Sequence, residues 1–186
     1  MRIILASKSP RRIELVRMLT NDVIVRPTNT DETFDDSLSV YENVTNAAEA
    51  KAKAALDNTV LPEDIVLGVD TIVVLDNEVF GKPENKSHAR QMIKALSGKT
   101  HKVISGVCII RNGKTHKFHD ETSVTFDEMT DDEIEEYIST DEPYDKAGAY
   151  AVQGLAGKYI KGLNGCYFNV VGLPVNKIYI KLKHFL

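Results

Sequence analysis

The chain has 186 residues, with 27 acidic against 23 basic side chains and a formal net charge of −4. That length supports one medium domain, or two small lobes on a shared core, without help from disulfides. With 42% apolar and 27% charged residues the composition excludes disordered, collagen-like and coiled-coil chains, and the acidic balance disfavours a nucleic-acid coat, which needs a basic surface to meet phosphates.

In chain order, Arg2 to Ala6 reads as a short apolar strand. Ser9 then serves as N-cap and Pro10 as first helical residue of a helix with Ile13, Val16 and Leu19 at helical spacing. Val23 to Val25 reads as extended, and Thr28 to Leu38 as a polar loop containing Asp31 and Glu32. The Ala-rich stretch from Val40 to Leu56 is predicted helical, with Val44, Ala47, Ala48 and Ala55 on one face. Next, DIVLGVDTIVVL is β-branched and apolar, a buried central strand broken or bent near Gly68, with Asp70 in its middle. After a loop with Gly81, Lys82 and Pro83, Ser87 caps a helix that runs to Leu96 and stops at Gly98. Two strands, Lys102 to Ile110 and Thr115 to Phe126, are joined at Asn112-Gly113, the dipeptide of tight hairpins. Thr130 and Glu133 form a capping box for a short acidic helix. The Gly-rich segment from Gly148 to Gly172 reads as short extended pieces, and Pro174 opens a final helix with Val175, Ile178 and Leu182. This order predicts an α/β fold with a mixed β-sheet flanked by helices, and no linker separates residues 1–186 into independent domains.

No apolar run reaches the length of a membrane span, so no membrane association is expected. MRIILASKSPRR reads as a first strand rather than a signal peptide, and Cys108 and Cys166 as two reduced thiols. The expected location is cytoplasmic. Residues 120–145 hold twelve Asp and Glu and no Lys or Arg, which leaves the rest of the chain at +8. A small anionic ligand therefore stays within reach of a protein that is acidic on average. The acidic stretch itself reads as a solvated face.

Two places can carry chemistry. In Ser7-Lys8-Ser9-Pro10-Arg11-Arg12, two hydroxyls, three cations and free backbone N–H groups gather at a helix start, which suits a phosphate or carboxylate and equally suits a plain helix cap with solvated basic side chains. It is neither a P-loop nor a dinucleotide fingerprint. The second place is Asp70, because an ionised carboxylate in an apolar strand needs a cation, a proton or a metal. Lys51 and Lys82 are the cationic candidates, and Glu32 could add a second carboxylate for a hydrated Mg²⁺; alternatively Asp70 caps a turn at an exposed strand end. His88, His101, His116, His119 and His184 match no zinc pattern and read as surface residues. No GxSxG elbow and no base beside either cysteine supports covalent acyl chemistry.

Taken in order, ILASKSPRR, Asp31-Glu32, AAEAKA, GVDTIV, FGKP, AGAYAVQG and NVVGLP resemble the Maf family of nucleoside triphosphate pyrophosphatases over essentially the whole chain. The resemblance implies hydrolysis between the α and β phosphates of a nucleoside triphosphate, with a divalent cation, Mg²⁺ or Mn²⁺, held by Glu32 and Asp70. Asp70 is then the proton acceptor, with Glu32 near metal and water. Ser7, Ser9, Arg11, Lys51 and Lys82 match phosphate-binding positions. Arg12, Thr71 and Gln153 match the subgroup acting on dTTP and UTP, where an amide and a hydroxyl can read a pyrimidine edge. The resemblance further implies two lobes around a cleft, as in inosine triphosphate pyrophosphatases, a homodimer, and a small-molecule nucleotide rather than nucleic acid as partner. Cys166 departs from the acidic residue that many relatives carry before the Tyr of the GxY segment. Alternatives from the same residues are a nucleotide-sensing regulatory protein linked to cell division, and the same hydrolysis on methylated purine or CTP substrates.

Overall fold

A computed structural model describes residues 1–30 and 33–185. Seven strands form one mixed sheet in the order β2-β1-β3-β5-β6-β7, with β4 paired to β3. The strands are β1 (Ile3–Ala6), β2 (Val23–Val25), β3 (Ile65–Leu75), β4 (Glu78–Phe80), β5 (Thr100–Arg111), β6 (Lys114–Phe126) and β7 (Ile160–Asn164). The helices are α1 (Pro10–Val16), α2 (Val40–Ala54), α3 (Lys86–Leu96), α4 (Asp131–Ile138), α5 (Tyr167–Val171) and α6 (Val175–Phe185). β1 runs parallel to both β2 and β3, while β4 on β3 and β7 on β6 are antiparallel. Among the described residues no helix is long and apolar enough to cross a membrane.

The chain divides into two compact units. The first comprises Met1–Thr71, Ser105–Asp120 and Gly172–Leu186. Here α2 starts from a capping box that the sequence reading missed: Ser39 accepts the Glu42 N–H, and the Glu42 side chain accepts the Ser39 N–H. The buried face of α2 holds Val44, Ala48, Lys51 and Ala52; Ala47 is only half-buried, so the apolar stripe is narrower than predicted. The reason for its small residues lies in the sheet. β3 is a single uninterrupted strand of 11 residues, not broken at Gly68. A Cβ on Gly68 would sit 2.1 Å from the Ala48 carbonyl oxygen, and one on Gly106 of β5 would sit 2.3 Å from that of Val44. Glycine is needed there because helix backbone lies directly on strand backbone. At the start of β3, Asp64 is 2% exposed and accepts Arg2 Nε at 2.8 Å and the Leu61 N–H at 2.8 Å. The Arg2 hydrogen bond is the main reason its carboxyl lies below the usual range.

The second unit comprises Ile72–Ile104 and Glu121–Val171. β3 and β4 form a hairpin that the sequence reading left as loop, with Asp76 and Asn77 at φ 51° and 68°, the left-handed pair of a tight primed turn. Asn85, not Ser87, caps α3: its side chain accepts the His88 N–H at 2.9 Å from an extended backbone, whereas Ser87 already lies inside the helix. Thr130 and Glu133 form the predicted capping box on α4. The Gly-rich region is built of 3₁₀ turns at Glu142–Asp145, Ala147–Ala149 and Leu155–Tyr159, followed by β7 and α5, where short extended pieces were expected. Met92, Ile93 and Leu96 of α3, Ile134 and Ile138 of α4, and Phe126 share the core of this unit.

His101, expected on the surface, is 1% exposed within that core. Its Nε2 lies 2.7 Å from the Tyr150 hydroxyl, and Phe126 stands edge-on at 5.3 Å. A histidine fits because Tyr150 gives one ring nitrogen a polar partner. Burial pushes its pKa down to about 4.

Two outcomes follow from this packing. Gly68→Ala forces α2 off β3 and is expected to destabilise the protein by roughly 3 kcal/mol or more, read by urea denaturation. An unfolded His101 binds its proton near pH 6.5 but a folded one only near pH 4, so stability falls as pH drops through that window, by about 3 kcal/mol at its acid end. His101→Gln, which keeps an amide for Tyr150, removes that part of the slope in melts recorded from pH 7.5 to 4.5; an unchanged slope excludes His101 as its source.

Candidate active site

The close approach at Gly68 fixes what stands beside it. Lys51, one turn beyond Ala47 and Ala48 on α2, and Asp70, two residues beyond Gly68 on β3, meet at 2.5 Å between Nζ and Oδ1. Each residue is 8% exposed. Asp70 is therefore inside the strand and not a turn cap at its end, and Lys51 is the cation that compensates it. Removing either charge alone strands the other in a low-dielectric environment. Among the described residues the hydrogen bond on Asp70 falls on Oδ1, which leaves Oδ2 to a further partner.

One position further along β3, Thr71 belongs to a second polar group in the same unit. Arg12 donates from Nη2 to Thr71 Oγ1 at 2.9 Å and from Nε to the Gly172 carbonyl at 2.8 Å, and the hydroxyls of Thr71 and Ser105 lie 2.8 Å apart. Two of the predicted base-reading residues, Arg12 and Thr71, thus touch each other. Ser105 is fully buried and was missed; a lone hydroxyl inside the apolar run Val103 to Ile110 invited the same question that Asp70 raised.

In the turn between β1 and α1, Ser7 is buried and its hydroxyl accepts the Ser9 N–H at 3.2 Å. Ser9 occupies the N-cap position, but its side chain makes no capping hydrogen bond, so this serine is not explained by helix capping alone. Arg11 is half-buried beside it in sequence. Glu32 lies outside the described residues. Among the described residues no group of three or more His, Cys, Asp or Glu side chains is placed to hold a metal. Asp70 offers carboxylate oxygen, the donor that a hard divalent cation uses together with substrate phosphates, so its chemistry fits such an ion.

Lys82 and Gln153 belong to the second unit, and both are exposed. The Gly148 N–H donates to the Gly81 carbonyl at 3.0 Å, tying the Lys82 loop to the AGAY segment. Ala149 has φ 61°, a strained conformation for a residue with a Cβ. The segment of Cys166 is held by Thr122, which accepts the Cys166 N–H at 3.0 Å and donates to its carbonyl at 3.1 Å, while Asn169 donates to the same oxygen at 3.0 Å. Cys166 is half-buried; Cys108 is buried, with its thiol pushed up to about 12, and neither forms a disulfide.

The family model described as Maf-like protein matches residues 2–185. Proteins of the name dTTP/UTP pyrophosphatase are similar throughout. That of Chlorobaculum parvum is 44% identical over 98% of this chain and 93% of its own. That of Bacillus anthracis is 42% identical over 99% and 95%, and that of Desulforamulus reducens 45% over 98% and 96%. Among solved structures, the Ham1 protein of Staphylococcus aureus superposes with a TM-score of 0.57 over the whole of both chains at 14% identity, a likeness of fold.

Lys51→Met is expected to cost 3 to 5 kcal/mol of stability, roughly, through the unpaired carboxylate. The double change Lys51→Met with Asp70→Asn regains most of it in the same urea titration; equal losses in the single and double variants would mean that the pair is not compensated in this way.

Proposed function

The chain belongs to the Maf-like protein family, and from that membership we propose that it is a nucleoside triphosphate pyrophosphatase that converts dTTP and UTP to the monophosphate and pyrophosphate. The observation that carries the reading is the shared name of relatives that align over nearly the full length of both chains; the Lys51–Asp70 pair is the geometry that fits it. Asp70 accepts the proton of a water attacking the α-phosphorus, and the Lys51 ammonium holds the carboxylate in place for that transfer. Ser7, Ser9 and Arg11 from the β1–α1 turn, with Lys51 and Lys82, meet phosphate oxygens; the idle Ser9 hydroxyl supports this. Asp70 and Glu32 would hold a divalent cation, Mg²⁺ or Mn²⁺. Such an ion supplies charge neutralisation on the triphosphate when bound.

Base choice falls to Arg12, Thr71 and Gln153. Arg12 is already bonded to Thr71 and the Gly172 carbonyl, so its part is to orient the Thr71 hydroxyl toward a pyrimidine oxygen or N–H rather than to bind phosphate. We place the enzyme in the cytoplasm, where its triphosphate substrates and two free thiols belong, acting as a homodimer on a small molecule with no nucleic-acid or membrane partner.

The test is purified protein with Mg²⁺ or Mn²⁺ and a panel of dTTP, UTP, CTP, GTP and ATP, with products separated by anion exchange. Pyrophosphate with dTMP and UMP is expected to dominate; orthophosphate with a diphosphate, or no turnover, overturns the reading. Asp70→Asn is expected to lower kcat by roughly a hundredfold or more with the fold retained, and full activity in that variant removes Asp70 from the mechanism.

A further inference from the structure

Glu142 lies in the acid-rich stretch, yet its carboxylate is not a solvated surface charge. Oε2 accepts the Leu155 N–H at 2.7 Å; Oε1 accepts the Ala156 N–H at 3.2 Å and the Tyr137 hydroxyl at 3.0 Å. The two amides are the first of the 3₁₀ turn Leu155–Tyr159, donors that the turn itself leaves unmet. Tyr137 is 3% exposed and its hydroxyl also reaches the Ala149 carbonyl at 3.3 Å. The Glu142 carbonyl in turn accepts Lys146 Nζ at 2.7 Å. Between these anchors Gly154 fits only as glycine, since a Cβ there would lie 2.0 Å from Oε2. All of these residues belong to the second unit.

Gln153 immediately precedes this clamp. It is exposed, and its side-chain amide makes no hydrogen bond to a described residue, so its placement is inherited from the backbone on its C-terminal side. We propose that Glu142 is a positioning residue for base recognition: it fixes the Gly154-Leu155-Ala156 backbone from which Gln153 presents its amide to the pyrimidine. The inference rests on the reading of Gln153 as a base contact. Glu142 itself touches no substrate. A carboxylate is required because all three partners are donors; an amide of the same shape would turn its NH₂ toward at least one of them.

The variants are Glu142→Gln, Gly154→Ala, which crowds the same carboxylate from the opposite side, Gln153→Ala as reference, and the double Glu142→Gln with Gln153→Ala. Two quantities are read: hydrogen exchange at the Leu155 and Ala156 amides, and the ratio of kcat/KM for UTP over GTP. Glu142→Gln and Gly154→Ala are expected to speed that exchange and to lower the ratio roughly tenfold, toward the Gln153→Ala value, and the double variant to fall no further than Gln153→Ala alone. If Gln153→Ala lowers the ratio while Glu142→Gln and Gly154→Ala reduce turnover of every nucleotide equally, the inference about Glu142 is overturned and the reading of Gln153 stands. If Gln153→Ala leaves the ratio unchanged, the base contact fails and the inference with it, whatever the amides do.

Discussion

The structure around the candidate active site depends on one close approach. The backbone of α2 lies against β3 and β5 where Gly68 and Gly106 leave no side chain in the way. Ala48 and Ala52 keep the gap dry and narrow, and the same contact sets Lys51 over Asp70 at 2.5 Å. A buried ion pair gains little net stability over apolar packing of the same volume, because desolvation offsets most of the Coulombic attraction. Its presence in the middle of an otherwise apolar strand is better understood as the cost of keeping a charged carboxylate where chemistry needs one. The fold supplies rigidity there: β3 is paired with β1 on one side in parallel register from Ile65 to Gly68, immediately before the acid.

Around that pair, polar groups are fixed by long-range bonds more than by their own elements. Arg12 spans from α1 to the Gly172 carbonyl and to Thr71, and Thr71 reaches Ser105 on β5. A guanidinium bonded on two edges loses rotamer freedom before any ligand arrives, which is what recognition by a few hydrogen bonds requires. The second unit uses a similar device on its loops. Gly148 is tied to Gly81, Tyr137 to Ala149, and Glu142 to Leu155 and Ala156, so that irregular backbone carrying Lys82 and Gln153 is held without regular secondary structure. Buried polar donors that find acceptors in this way rigidify a loop far more than apolar contact would.

Local signals were read well from the sequence. The Asn112-Gly113 hairpin, the Thr130–Glu133 capping box and the Pro10 helix start depend on residues within four positions of one another, and the structure has all three. The β3–β4 hairpin was missed because Asp76-Asn77 carries no glycine, although both residues take left-handed φ. Gly68 was read as a bend because glycine in a strand signals either a bend or a close neighbour, and periodicity cannot choose between them. His101 was placed on the surface, and Glu142 on a solvated face, because neither Tyr150 nor the amides of Leu155 and Ala156 are near them in sequence.

The sequence by itself determined the order of helices and strands, the family, and which residues carry charge or hydroxyls at positions where chemistry could reside. These follow from short-range periodicity, capping and turn chemistry, and from motifs that survive as strings of residues. Only the tertiary structure decided that Lys51 is the partner of Asp70, that Arg12 is bonded to Thr71, that Ser105 stands behind it, and that Glu142 holds the segment after Gln153. Those partners are separated by between 13 and 59 positions along the chain. What joins them is the need to satisfy buried charge and buried hydrogen-bonding groups once packing has removed water, and that need has no signature in local sequence.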